Sequence, residues 1–479
     1  MFSAGQAFPA FLTLWLCLPE LGLGLVNTTI ESFKAESPLR GEIYRLAWPS
    51  IVEQLLVMAV GMVSTMFVGQ LSAQALVAVG LINTLVMFIQ SVFAALSTGT
   101  TVVVARLTGE QDPDGVNMTV SQSLTMSLVA SVALTLFCYI FADQLLALFL
   151  ANAEPAVFEA ARLYFLRTLI SLPFMMISII MGGALRGAGD TRTPMYSAGV
   201  ANIINVLLSF VLIFGFGPVE ARGIYGAAEA VVIARASGLA VTIFALFTGK
   251  CVLKPTWQRM LKADVDIIKK ILFVGLPASL EQVIMQGGFL VMQLLVVWMG
   301  TVEAAVYQIG MSVNSLAFMP VFGIALSATT LVGQNLGAND PKKAEKCGLQ
   351  TMYIAVILIS VIAVLMFVFS RELASLYSSD PEVIELGSRV IRIFAIAEPS
   401  LAVMNVMSAV LRGAGDIRYI MFTSMVSIWG IRIFLSFILE YFFQMGVIGM
   451  WYAIFIDLSV RALLYWLRFR AGKWKHIRI

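Results

Sequence analysis

Long apolar runs broken by short polar ones set the pattern of this chain. Twelve runs reach the roughly 20 residues that a helix needs to cross about 30 Å of hydrocarbon. Six lie at about 44–68, 76–104, 119–142, 160–184, 194–215 and 223–248. Six more lie at about 270–298, 304–333, 350–370, 384–411, 419–440 and 446–468. Inside a bilayer each backbone polar group must find its hydrogen bond within the protein, so runs of this length predict helices. The expected fold is an all-α membrane protein with twelve transmembrane helices. Residues 38–248 make a first lobe of six and residues 267–470 a second. Residues 249–266 carry Lys250, Lys254, Arg259 and Lys262, and read as a cytoplasmic linker lying partly as an amphipathic helix on the membrane. Residues 471–479 are a basic tail. Residues 1–37 have no counterpart in the second half and are expected to be a poorly ordered extension. Within them Phe8 to Val26 is apolar but broken by Pro9, Pro19 and Glu20, and no basic flank precedes it as in a signal peptide.

The pattern is written twice. Arg186-Gly187-Ala188-Gly189-Asp190 returns as Arg412-Gly413-Ala414-Gly415-Asp416, a shift of 226 residues. Pro49, Glu53 and Gln54 return as Pro277, Glu281 and Gln282 at a shift of 228, and Gly109 and Asp112 return as Gly337 and Asp340 at the same shift. Pro173 returns as Pro399. Two lobes related by an internal repeat commonly meet at a substrate pathway near mid-membrane in transporters.

Composition narrows the class. Hydrophobic residues make up 59% and charged ones 12%, half the charged share of a soluble domain, so the surrounding medium must be lipid. A net charge of +3 gives no reason to expect nucleic acid. Cys17, Cys138, Cys251 and Cys347 have no metal-type spacing. The one histidine, His476, lies in the tail, so any proton relay inside the membrane would run on carboxylates. No cofactor, metal site or enzymatic nucleophile motif is expected. Basic residues orient the bundle. Lys34, Arg40, Arg45, Arg106, Arg192, Lys342, Lys343 and both RGAGD turns fall on one side with both termini, and that side is expected to be cytoplasmic. The stretches 69–75, 143–159 and 299–303 fall outside, and none of them contains a Lys or Arg.

The turn GALRGAGDTRTPM at 183–195, its echo VLRGAGDIRYIM at 410–421, and SATTLVGQNLGANDP at 327–341 resemble the multidrug and toxic compound extrusion (MATE) family. The likeness runs from about residue 38 to 475. It implies two six-helix lobes forming a V around a central cleft. It also implies export of organic cations or drugs across the cytoplasmic (inner) membrane in exchange for H⁺ or Na⁺, by a protein expected to be monomeric.

Charged side chains inside apolar runs cost about 2.5–3.5 kcal/mol on insertion scales, so they usually face a cavity or a partner. Glu53 and Glu281 each follow a proline by four residues, one helical turn, in the first segment of their lobe. They are expected to look into one cleft from opposite sides, with Gln54 and Gln282 beside them, and to take up the coupling ion. Tying helices together is the structural alternative. Asp457 and Arg461, spaced i, i+4 in the last segment, are expected to neutralise each other, with a coupling role for Asp457 second. Glu398, and Glu229 with Arg235, are further candidates, and Arg432 needs a partner that the sequence does not name. Asn83, Asn202, Asn205, Gln308 and Asn314 are candidates to line the cleft, although intramembrane amides often simply join helices. In the two RGAGD turns, Gly187, Gly189, Gly413 and Gly415 permit a tight helix end. Asp190 and Asp416 fall where a following helix would be capped, and Arg186 is expected at the phosphate level.

The resemblance also implies an aspartate in the first segment and another in the fifth. Ser64 and Ser209 stand at those places, with Asn205 retained; a glutamate found in another branch corresponds to Met285. That departure leaves Glu53 and Glu281 as the acidic pair and leaves the coupling ion open. A lipid-linked saccharide flippase of the same superfamily is the alternative, and it would be expected to line the cleft with basic residues for anionic phosphates.

Overall fold

The computed structural model describes residues 37–149, 155–248, 253, 260 and 264–477. The N-terminal extension up to residue 36 and most of the expected linker helix fall outside the described residues. The chain is an all-helical membrane protein. The first lobe contains α1 (Ser37–Gly69), α2 (Ala73–Gly109), α3 (Pro113–Ile140), the short α4 (Ala142–Phe149), α5 (Pro155–Leu169), α6 (Leu172–Gly187), α7 (Arg192–Phe214) and α8 (Ile224–Phe247). The second contains α9 (Val265–Met299), α10 (Thr301–Gly337), α11 (Pro341–Val368), the short α12 (Ser370–Ser375) and α13 (Pro381–Gly413). It ends with α14 (Ile417–Met425), a π-helical stretch (Val426–Ile433), α15 (Phe434–Tyr441) and α16 (Gly446–Arg470). Among the described residues, eleven stretches are long and apolar enough to cross a membrane singly, and α5 with α6, bent by 52°, makes a twelfth if the two form one span. Phe247 and Trp298 each expose 80% of their surface, as lipid-facing side chains do.

Where segments begin and end follows local chemistry. Asp112 and Asp340 accept the backbone N–H groups of Gly115 and Lys343, capping α3 and α11, whose first residues are Pro113 and Pro341. Gly189 and Gly415 sit at φ +89° and +87°, a region that L side chains avoid, and so end α6 and α13. The two aspartates that follow have diverged. Asp190 accepts from the N–H groups of Arg192 and Thr193 at 3.0 Å, whereas Asp416 makes no such cap and instead pairs with Arg468 at 2.7 Å.

The single fourth segment expected at 160–184 is two helices. Pro173 lacks an N–H and its ring crowds the carbonyl of residue 169, where α5 stops. Pro399, its repeat partner, lies inside the continuous α13. The eleventh segment also departs from a plain α-helix, since its middle turns carry the extra residue of a π-helix. Such bulges frequently mark functional sites.

The lobes meet most tightly at the RGAGD end. A methyl group placed on Gly109 would lie 1.9 Å from the Gln334 carbonyl oxygen, and one on Gly337 would lie 2.0 Å from the Arg106 oxygen. These repeat-related glycines let α2 and α10 touch backbone to backbone. Gln334 Nε2 donates to the Gly187 carbonyl at 2.9 Å and Thr330 Oγ1 to the Arg186 carbonyl at 3.0 Å, tying the first RGAGD turn to the second lobe.

Candidate functional site

Above this seal lies a cavity of about 490 Å³, walled by α1, α2, α6, α7 and α8 of the first lobe and by α9, α10 and α13 of the second. The size suits a drug-sized molecule. Met175, Ile179, Phe322 and Leu326 supply apolar wall, and Gln54, Gln90, Asn202, Gln282 and Asn405 supply amides. Gln54 and Gln282, predicted together, face the same space.

The charges in this cavity correct the sequence reading. Arg186, expected at the phosphate level, lines the cavity. Its Nη1 reaches Glu53 Oε1 at 3.1 Å and Oε2 at 3.2 Å, and Arg412 Nη2 reaches Glu281 Oε1 at 2.7 Å. Helical side chains lean toward the N-terminus of their helix, so an arginine in the last turn of α6 or α13 points back into the membrane. Gly182, one turn earlier, leaves the Arg186 guanidinium room to lie along its own helix, since a methyl there would come within 3.3 Å of Nη2. The glycines of RGAGD build the turn as expected from their chemistry, but the arginines belong to the cavity.

The two pairs are not equivalent. Glu53 lines the cavity and 14% of its side chain is exposed. Glu281 is 3% exposed and does not line it, because Arg412 stands in front. The expectation that both acids look into the cleft therefore holds for Glu53 only.

Arg235 is the third arginine of the lining. It is the twelfth of the 24 residues of α8, and thus stands mid-span. Its Nη1 donates to Ser171 Oγ at 2.6 Å, at the break between α5 and α6. No carboxylate lies within salt-bridge distance of it among the described residues. Glu229, in the same helix, pairs instead with Arg167 and with Arg222.

Other candidates sit elsewhere. Arg432 finds its partner in Asp457, at 2.5 Å, and Asp457 also accepts from Arg461 at 2.7 Å and from Ser427 at 2.5 Å. Asp457 is fully buried and both arginines nearly so, and none of the three lines the cavity. Sequence spacing indicated only the Asp457–Arg461 half of this cluster. Glu398 is completely buried, neither oxygen accepts a hydrogen bond from any of the described residues, and it is not part of the lining. Just before Pro399, it points into the packed interior of the second lobe. Asn83 and Gln308 are exposed away from the cavity, and Asn314 is half-buried outside it. Asn205 accepts a hydrogen bond from Ser64 at 2.9 Å, and Ser209 is buried nearby on α7, a neutral knot at the two places where the resemblance implies aspartates. No cluster of three or more His, Cys, Asp or Glu side chains forms among the described residues.

Comparison with known proteins agrees with this architecture. The MatE family model matches residues 49–211 and 277–438, one copy in each lobe. The "Probable multidrug resistance protein NorM" of Thermotoga maritima is 31% identical over 449 residues, covering 92% of this chain and 95% of that protein. The multidrug resistance protein MdtK of Yersinia pseudotuberculosis is 27% identical over 440 residues, 89% of this chain and 94% of the relative. An outward-facing MATE-family multidrug transporter superposes with a TM-score of 0.84 at 23% identity, over 91% of this chain and 97% of that one. A MOP-superfamily transporter from Pyrococcus furiosus, described as having a binding pocket of reverse polarity, superposes equally well at 22% identity, over 90% and 95%.

Proposed function

The chain belongs to the MATE family of transporters, and on that premise we propose that it is a secondary active exporter. It moves small amphipathic molecules across the cytoplasmic membrane by alternating access, in exchange for H⁺ or Na⁺. The observation that carries this reading is the cavity between the repeated lobes, blocked at its RGAGD end by the backbone contact of Gly109 and Gly337. A transporter of this kind must close one side while the other is open. The basic-residue pattern puts the sealed side toward the cytoplasm, so the arrangement corresponds to release outward. Return requires that seal to part.

Glu53 and Glu281 are the proposed coupling groups. Each holds the first helix of its lobe to the helix that ends in RGAGD, through Arg186 or Arg412. An ion captured by the carboxylate competes with the guanidinium and loosens that contact. Ion occupancy then biases the position of the very helix ends that form the seal. The organic-cation substrate was what the family resemblance implied, whereas here the two acids expected in the cleft are matched by arginines. The cavity lining itself holds Arg186, Arg235 and Arg412 against Glu53. This same feature is the one that favours the flippase alternative, which calls for a basic cleft.

Reconstituted vesicles loaded with a fluorescent amphipath test the proposal. Efflux should accelerate under an imposed pH gradient or an imposed sodium gradient. Glu53→Gln combined with Glu281→Gln should reduce the gradient-driven part at least tenfold while leaving the leak unchanged. Driven efflux that survives the double substitution removes both carboxylates from coupling.

A further inference from the structure

From the balance of charge in the cavity we infer that the substrate site is selective for amphipathic molecules bearing an acid group, carboxylate, sulfonate or phosphate, with Arg235 as the residue that binds it. The inference rests on the exporter reading and names its substrate class.

Arg186 and Arg412 are already neutralised, each by a glutamate within 3.1 Å and 2.7 Å respectively. Arg235 is different in kind. It stands at the middle of a membrane-spanning helix, lines the cavity, and has a hydroxyl, Ser171 Oγ, as its hydrogen-bond partner. A hydroxyl is neutral and cannot compensate a positive charge. A guanidinium placed at mid-bilayer persists where it faces water or an anion, and its planar fork carries further N–H groups suited to an oxyanion. The one acid of its own helix, Glu229, lies six residues away and is shared by Arg167 and Arg222. The other charged side chains of the lining are Glu53 and the two paired arginines, so the free charge of the cavity is positive.

The rest of the cavity fits the remainder of such a molecule. Phe322, Leu326, Met175 and Ile179 offer apolar surface, and Asn202 and Asn405 offer amides. An inside-negative membrane potential pulls an anion outward, so export of an acid works with the potential rather than against it.

Two probes with one fluorophore separate charge from shape: dansyl-6-aminohexanoic acid, an anion, and dansylcadaverine, a cation. Each is assayed with the full chain in vesicles under a proton gradient, a sodium gradient and a potassium-diffusion potential. The acid should move at least tenfold faster than the amine. Arg235→Gln should lower its transport and its affinity, read by dansyl fluorescence, by about tenfold or more, the loss of one charge-assisted hydrogen bond. Arg235→Lys should retain part of both, and Arg235→Glu should reverse the preference toward the amine. An unchanged melting temperature in Arg235→Gln and Arg235→Lys shows that the loss is not one of folding. In a parallel arm, gradient-dependent flipping of an NBD-labelled phosphatidylglycerol, scored by dithionite, tells a lipid headgroup from a free acid. Flipping of that lipid that Arg235→Gln abolishes would place the acid on a lipid. Faster transport of the amine, or equal rates, overturns the inference and leaves the exporter reading standing. Movement of none of the three probes under any drive overturns both.

Discussion

The two lobes began as one sequence and now handle buried charge in opposite ways. In the last helix of the second lobe, Arg461 is matched by Asp457, which also holds Arg432 and Ser427 in a dry cluster. In the last helix of the first lobe, Arg235 faces the cavity and donates to the Ser171 hydroxyl, with no carboxylate beside it among the described residues. The break at Pro173 is what makes this possible, because it frees Ser171 from regular helix, while Pro399 sits inside an unbroken α13. The second lobe thus spends its charges on cohesion, and the first presents one to the pathway. The difference teaches that duplication conserved the frame, the glycines and the Glu–Arg pairs, while the charges added around them took on separate work.

The largest expected effect tests the cohesive side of that contrast. Asp457→Asn leaves Arg432 and Arg461 buried without a carboxylate, and breaking a buried pair from one side costs about 3–5 kcal/mol. The melting temperature of the purified protein should fall sharply, or the protein should fail to remain monodisperse in detergent. Adding Arg432→Gln and Arg461→Gln to that background should recover part of the loss, since the stranded charges go with it. Arg235→Gln, by contrast, strands nothing and should leave the melting temperature where it is. Equal destabilisation by Asp457→Asn and Arg235→Gln would erase the distinction between the lobes.

A second prediction concerns what the lobes still share. Gly109→Val and Gly337→Val each force a side chain against a backbone oxygen about 2 Å away. Overpacking of this order costs about 1–3 kcal/mol, which disfavours the sealed state by roughly fivefold to more than a hundredfold. Spin labels at Arg192→Cys and Arg418→Cys should report a longer distance in either variant, and to a similar degree in both. A large response from one glycine alone would show that the seal is not the symmetric device the repeat suggests.

Much of this frame was legible in the sequence, for a physical reason. A bilayer dictates the length of each apolar run, and the repeat shift places the prolines, glycines and glutamates in register before any coordinate is known. What escaped were contacts between distant positions. Arg186 looked like an interfacial residue because it ends a segment, and only the backward lean of helical side chains turns it toward Glu53, 133 residues earlier. A signal for the pairing did exist: the acids recur at a shift of 228 and the arginines at 226, so the opposite charges were duplicated together. Glu398 sits beside a mid-helix proline much as Glu53 follows Pro49, yet its face of the helix is turned into packed core. Arg235 was a candidate beside Glu229, yet spacing could not show that this acid is engaged elsewhere. Its standing depends on Glu229 being taken by Arg167 and Arg222, which belong to other elements.

The smallest expected effect lies within the conserved pairs themselves. Glu281 is nearly sealed from the cavity while Glu53 is open to it, so the same substitution should act differently in the two lobes. Glu281→Gln leaves Arg412 against a buried neutral amide, and because Arg412 itself reaches the cavity and water can screen it, the cost should be about 1–2 kcal/mol rather than the full value for a dry pair. Glu53→Gln removes a part-buried pair, 14% and 15% exposed, whose carboxylate also meets the cavity, so screening should hold its cost to about 1 kcal/mol. Chemical unfolding in detergent would resolve the gap. The kinetic order should be reversed, because an ion entering from the cavity reaches Glu53 without first displacing an arginine that stands in front of the carboxylate. Single substitutions assayed for gradient-driven efflux should therefore show Glu53→Gln altering the response at the lowest driving force, with Glu281→Gln altering it only at a higher one. If the two variants match in both assays, their different burial has no bearing on coupling, and the division of labour between the lobes is confined to Arg235 and the Asp457 cluster.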